Sequence, residues 1–329
     1  MRFNRRATIS APLCILCGVP ADFFMRSQDR FFESLADVFE LSRCPRCGLV
    51  FVDPPPAPDV LARHYPNDYA PHADFQETSI GKKSFKKMMR DAALAFWLGY
   101  GKKKFLQILS YPYFLRVAHY PHYRKNGRVL DLGCGSGQFL LELKNLGWRE
   151  LFGTDFSERA VLTARSHGLD VRLGEIEKIS FKKDFFHAIT LHHVFEHLPK
   201  PVETLRELKR ILAPGGELIL TVPNTSGVLS RIFRKNWSGY EIPRHFYNFN
   251  EKNLRMILEH AGFRVERVIS PKIFTTLLTD LGYTFSFLRR GGGRLSWVHK
   301  AVNAAEFFLD PFLVFLNPGN ELVVRATKS

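Results

Sequence analysis

Three groups of residues have the types and spacing of chemical sites. Four of the five cysteines fall as Cys14-x2-Cys17-Gly18 and Cys44-x2-Cys47-Gly48, with 26 residues between the pairs. Each pair can approach one ion from a tight turn, the following glycine lets backbone amides face the sulfurs, and four thiolates complete a closed tetrahedral site. A closed site leaves no position for a substrate water, so the metal expected is structural zinc. Two disulfides or a redox Cys-x-x-Cys are the alternatives, disfavoured because no secretion signal is evident. The second group is the turn VLDLGCGSGQ, with Asp131, Gly133, Gly135 and Gly137 at every second position and Asp155 further on. The third comprises His192, His193, Glu196 and His197 in one stretch and Arg244, His245 and Tyr247 in another.

The glycine turn constrains its ligand. A dinucleotide site takes G-x-G-x-x-G, and the third glycine position is here Gln138. The pattern places a carboxylate, Asp131, ahead of the glycines, where a pyrophosphate is repelled and an ammonium group is attracted. S-adenosylmethionine, with an amino group, a sulfonium and a ribose but no phosphate, fits such a turn. Asp155 falls at the end of the next strand, where a carboxylate can accept bonds from both ribose hydroxyls. Cys134 within the turn reads as a small packing residue rather than a nucleophile.

These residues need a frame. From Arg128 onward strand-like and helix-like segments alternate: RVLDL, LFGTD, DVRLG, FFHAITLHH, GELILTVP and FRVERVIS are strands, and ELVVRA is the last. Between them GQFLLELKNLG, SERAVLTARSHG with Ser157 as N-cap, PVETLRELKRILAPGG with a Pro-Gly stop, and NEKNLRMILEHAG read as helices. The expected fold is α/β, a doubly wound, mostly parallel seven-stranded sheet whose ligand sits beyond the carboxyl ends of the strands. A zinc ribbon is expected over 1–60, a basic helical linker over 61–127 and the main domain over 128–329, interrupted by an apolar helical insertion at about 271–320.

The segments DLGCGSG, GTDFS, GEIE, AITLHHVFEHLPKPVETLRELKRILAPGGELILTVPN and EIPRHFYNF together resemble the class I S-adenosylmethionine-dependent methyltransferases. They are most similar to a bacterial small-molecule branch with an N-terminal zinc ribbon that acts in glycan or lipid-linked sugar pathways. The resemblance implies that Asp131, Gly133, Gly135 and Gly137 hold the methionine end, that Asp155 takes the ribose, and that Glu175 and Ile176 flank the adenine. Many relatives have Asp at the position of Glu175. His192, at the strand end, is assigned to the cofactor side. Methyl transfer from a sulfonium is an in-line displacement, so positioning supplies much of the barrier reduction, and a base is needed only for an acceptor that holds a proton. His193, His197 and His245 are the candidates for that role. Arg244 is expected to pair with a phosphate or carboxylate of the acceptor, on a loop that the resemblance turns toward it.

The formal charge of +15 is unevenly placed, and residues 72–128 alone contribute +9. Helices SFKKMMRDAALAFWLGY and KKKFLQILSYPYFLRVAHY carry this charge; packing on the main domain is the first expectation for them, contact with an anionic membrane surface the second. The N-terminus lacks the apolar run of a signal peptide, and the longest apolar stretch, 304–316, is broken by Glu306, Asp310 and Pro311. A cytoplasmic enzyme is expected, O-methylating a small-molecule or saccharide acceptor, lipid- or nucleotide-linked if the basic and aromatic segments cooperate. DNA is not an expected partner. The rivals are an RNA base methyltransferase gripping phosphates with the basic segment, disfavoured because the ribbon is neutral, and a non-catalytic ligand-binding protein.

Overall fold

The stretch VFELSR alternates as a half-buried strand does, with Phe39 and Leu41 inward, and it sits inside a four-stranded antiparallel sheet. In the computed structural model, which describes residues 11–30, 36–65, 85–100, 117–271, 277, 280–281 and 319–329, this sheet is formed by β1 (Asp22–Gln28), β2 (Val38–Arg43), β3 (Val50–Val52) and β9 (Tyr247–Asn248). The fourth strand comes from far along the chain: Val50 and Phe51 pair with Asn248 and Tyr247. The ribbon is thus not closed within residues 1–60. Its Cys14, Cys44, Cys47, Leu49 and Phe51 share one apolar cluster with the interior of the main domain.

Helices α1 (Pro58–Arg63) and α2 (Phe85–Trp97) follow. Met89, Ala93 and Leu94 of α2, with Leu98, bury against Val129, Leu140 and Trp148, and Arg90 pairs with Glu142 at 2.5 Å. For this helix the expectation of packing on the main domain holds. The second basic helix and the 271–320 insertion lie almost wholly outside the described residues.

The alternation from Arg128 yields β4 (Arg128–Leu132), α3 (Gln138–Asn145), β5 (Glu150–Asp155), α4 (Glu158–Ser166), β6 (Asp170–Leu173), β7 (Phe186–His192), α5 (Pro201–Ile211) and β8 (Leu212–Pro223). After α6 (Val228–Phe233) come β9, α7 (Glu251–His260), β10 (Phe263–Ile269) and β11 (Glu321–Lys328). The sheet order is β10-β11-β8-β7-β4-β5-β6, parallel from β8 to β6, with β11 antiparallel between β8 and β10. This is the expected seven-stranded sheet. Ser157 caps α4 by accepting from the Ala160 amide, and Asn250 opens α7 in a reciprocal box with Asn253.

Helix α5 ends five residues before its Pro-Gly signal is complete. The amides of Asp184 and Phe185 donate to the carbonyls of Arg210 and Ile211, so the chain enters β8 at Leu212 opposite Phe186. The glycines serve instead an irregularity in the strand, where Gly215 has φ +67° before Glu217 pairs with Ala188.

Candidate active site

The C-terminal ends of β4, β5 and β7 bring the glycine turn, Asp155 and the histidine stretch to one edge of the sheet. Gly133, Gly135 and Gly137 have φ of +70°, +53° and +84°, a region costly for residues with a Cβ. The turn's amides are engaged inside the protein: Gly133 and Cys134 donate to the Thr154 carbonyl, Gly135 to Asp155 Oδ2 and Gly137 to the Cys134 carbonyl. None of these four is left for a phosphate. Asp131 is 3 % exposed and its Oδ1 accepts from the Thr190 hydroxyl at 2.6 Å. Burial pushes its carboxyl up to about 7, opposed by Thr190 and assisted by the charge of Asp155. A ligand ammonium placed there would be met by a carboxylate that forms no ion pair with a cationic side chain among the described residues. Asp155 accepts the amides of Gly135 and Ser157, each at 2.8 Å, one on each oxygen. A second lone pair on each oxygen remains for a ribose hydroxyl.

The cofactor turn touches the histidine stretch directly. A Cβ on Gly133 would lie 2.4 Å from Val194 Cγ2, one residue from His193. The His192 ring packs edge-on to Phe139, at the start of α3, with ring centroids 4.5 Å apart, and to His119 at 5.5 Å. His193, in a left-handed conformation (φ +54°), lies with Nδ1 3.4 Å from Glu196 and Nε2 3.6 Å from Glu321. Burial alone would depress its pKa, but the two carboxylates outweigh it and raise it to about 10, so the ring is cationic near neutral pH. His197 and His245 stand edge to face, centroids 4.5 Å apart. Burial, reinforced for His197 by its neighbour His245, lowers both to about 4, so these two rings are neutral. The His245 Nδ1–H donates to the Gly239 carbonyl at 2.9 Å, which turns the Nε2 lone pair toward Glu196 and Glu241. His197 Nδ1 bonds the Tyr65 hydroxyl at 2.9 Å.

Two expected site residues are placed elsewhere. Arg244 does not face an acceptor: it is fully buried, with NH1 and NH2 bonded to Asp29 at 2.6 and 3.1 Å, Nε to Glu241 at 2.8 Å and NH1 to the His64 carbonyl. Its charge is matched by two carboxylates and ties the 241–247 loop to the ribbon. Ile176 turns its side chain into the core cluster that holds Phe181 and Leu205, so it has no apolar face to offer an adenine. Glu175 beside it is exposed and paired with Lys178 at 2.9 Å. Tyr247 belongs to β9, with its hydroxyl 3.5 Å from the Pro199 carbonyl. Cys134 is buried, and burial raises its thiol, as a packing residue requires. The structure adds residues that were not singled out as candidates: Tyr65, His119, Phe139, Glu241 and Glu321. The aromatic pair Tyr65 and Phe156, centroids 5.6 Å apart, lies just beyond Asp155.

The four paired cysteines converge, with one sulfur from each and all within 4.8 Å of one another. Cys14 and Cys47 sulfurs are 3.7 Å apart and all four thiols are free. Burial works to raise the Cys44 thiol, yet the amides of Cys47 and Arg46 aimed at its sulfur bring it down to about 7. The second knuckle is docked on α7: Asn250 and Asn253 donate to the Cys47 carbonyl and Lys252 to that of Arg46.

The family model described as a methyltransferase domain matches residues 106–268. Those residues, just under half of the chain, are a methyltransferase domain of the S-adenosylmethionine-dependent kind. Among curated relatives, the ubiquinone biosynthesis O-methyltransferase of Xanthomonas oryzae is 35% identical over 104 residues, 30% of this chain and 43% of that protein. The chain therefore spans less than half the length of that relative. The demethylmenaquinone methyltransferase of Staphylococcus saprophyticus is 26% identical over 181 residues, 47% of this chain and 78% of that protein. A solved S-adenosylmethionine-dependent methyltransferase from Thermotoga maritima is similar at 21% identity and a TM-score of 0.44, covering 74% of this chain and 96% of the other. No helix among the described residues is long and apolar enough to cross a membrane.

Proposed function

We propose that this protein transfers the methyl group of S-adenosylmethionine to a hydroxyl of a small molecule, a saccharide among the candidates. The observation that carries the reading is the 131–137 turn, in which a buried carboxylate precedes three left-handed glycines and the amides of Gly133, Cys134, Gly135 and Gly137 are all engaged internally. In this reading Asp131 holds the ammonium of the cofactor, Asp155 its ribose, and Gly133, Gly135 and Gly137 let the methionine end approach the backbone. His192 and Phe139 form the wall between the cofactor and the acceptor. His193, Glu196, His197 and His245 receive the acceptor, because their polar rings and carboxylate suit a hydroxylated molecule better than an apolar one. The relatives named for ubiquinone biosynthesis O-methylation and for demethylmenaquinone methylation support a small-molecule acceptor.

The cysteine cluster holds zinc in this account. Four sulfurs within reach of one ion fit a closed tetrahedral site, and such an ion would fix the ribbon that β9 and the Asp29–Arg244 pair join to the acceptor loop. Titration calorimetry tests the cofactor assignment. S-adenosylmethionine and its demethylated product should bind, NAD should not, and Asp155→Ala should weaken binding by roughly 1.5 to 3 kcal/mol, the value of hydrogen bonds to a charged group. Binding of NAD with no S-adenosylmethionine binding would overturn it.

A further inference from the structure

Glu196 stands out among the acidic residues at the site. It is 1 % exposed, and among the described residues neither of its carboxylate oxygens accepts a hydrogen bond. His193 Nδ1 lies 3.4 Å away, outside hydrogen-bond alignment, and His245 Nε2 at 4.0 Å. A buried carboxylate whose oxygens accept no hydrogen bond is costly, and the His193 ring beside it is not aligned to donate to it. Around it the chain places the imidazoles of His197 and His245. Glu196, His197 and His245 each offer one ligand atom, and the three atoms lie within 4.8 Å of one another.

We propose that Glu196, His197 and His245 bind a divalent transition-metal ion at the acceptor end of the site. Two imidazole nitrogens and one carboxylate oxygen are a ligand set for zinc, iron(II), cobalt(II) or manganese(II), not for calcium or magnesium, which take oxygen cages. Metal–ligand bonds of about 2.0 to 2.2 Å put neighbouring ligand atoms roughly 3 to 3.5 Å apart, so the three groups close on an ion by side-chain shifts of about 1 Å. The outer partners are already in place. His245 donates Nδ1–H to the Gly239 carbonyl, and His197 bonds Tyr65 through Nδ1, which leaves Nε2 of each ring for the ion. Three protein ligands leave positions open. On the methyltransferase reading, an acceptor hydroxyl occupies one of them and is made more acidic there. Its proton passes to solvent, the oxygen lone pair forms the new O–CH3 bond as the sulfonium S–CH3 bond breaks, and the cofactor departs as a neutral thioether.

The test counts metal on the full chain. Protein saturated with zinc and passed into metal-free buffer should carry about one more ion per chain than Glu196→Gln or His197→Asn prepared alongside, by elemental analysis. The cysteine cluster is unchanged in both variants and serves as the internal reference for folding. In cobalt titrations the thiolate charge-transfer band should be the same in wild type and variants, while the weaker absorption of a nitrogen and oxygen site should be lost in the variants. Tyr65→Phe should keep the stoichiometry and lower the affinity of the second ion at least about tenfold. Equal metal content in wild type and both folded variants would overturn the proposal. S-adenosylmethionine binding is measured on the same samples, so a chain that binds the cofactor but no second ion refutes this inference alone. A chain that takes the second ion without binding the cofactor supports the metal site and refutes the methyltransferase reading.

Discussion

Replacing Arg244 by methionine keeps the length of the side chain and removes its charge from a site with no exposure. Asp29, equally buried, then loses bonds of 2.6 and 3.1 Å, while its contact with His64 Nδ1 at 2.7 Å remains. Glu241 loses its 2.8 Å bond to Nε, and the loop that carries His245 loses its Arg244–Asp29 tie to the ribbon. Breaking a buried pair by removing one partner costs about 3 to 5 kcal/mol, and the remaining His64 contact favours the lower end, about 3 kcal/mol. At roughly 2 to 4 °C per kcal/mol for chains of this class, the thermal midpoint should fall by about 6 to 12 °C. Thermal unfolding followed by circular dichroism reads this directly. The double variant Asp29→Asn/Arg244→Met should recover about half of the loss, because the stranded carboxylate is then neutral. A midpoint within about 2 °C of wild type, combined with weakened acceptor turnover, would show that the guanidinium serves the acceptor and not the ribbon.

Four further outcomes follow. Binding an ammonium favours ionised Asp131, whose free-state pKa is about 7; S-adenosylmethionine affinity should therefore rise with pH up to about 7, by as much as tenfold per unit, and fall again above about 8 as the ligand amine deprotonates. Taken alone, the same raised carboxyl stabilises the free protein at low pH, and that contribution is lost as pH rises from the ordinary carboxylate range through about 7; thermal midpoints measured across that range check the sign. Gly133→Ala places a Cβ at φ +70° and 2.4 Å from Val194 Cγ2, so it should cost about 2 to 4 kcal/mol in denaturant unfolding and weaken cofactor binding. Cys44→Ser, or a strong chelator, should open the ribbon to limited proteolysis over residues 11–65 and lower the midpoint, since its knuckle is the surface on which Asn250 and Asn253 of α7 dock.

Features set by neighbours in sequence were legible before the fold was known. The glycine turn, the Ser157 cap and the Asn250 box are local devices, and each takes the form its residue types allow. The cysteine knuckles were legible for the same reason: two turns of four residues carry most of the geometry. Arg244 was misread because its partner, Asp29, lies 215 residues away and nothing near Arg244 in sequence announces a buried carboxylate. Ile176 was misread because one residue of rotation in a 3-10 turn decides between core and ligand, and its apolar side chain goes to the core. The end of α5 was set by the amides of Asp184 and Phe185, a tertiary contact that overrode the Pro-Gly signal downstream. Tyr65, beside His197, falls within the 61–127 linker, where no motif marks it as a site residue.

The central claim is methyl transfer to a small molecule from a cofactor held by Asp131 and the turn after it. The direct measurement is transfer of label from S-adenosylmethionine carrying a tritiated methyl group, with purified protein and a cell extract divided into RNA, lipid-linked glycan and soluble metabolite fractions. The account predicts label in the glycan or metabolite fraction, reduced at least about tenfold by Asp131→Asn, which removes the charge that meets the ammonium. Label confined to RNA and abolished by ribonuclease, or no transfer into any fraction by protein shown to bind the cofactor, would contradict it.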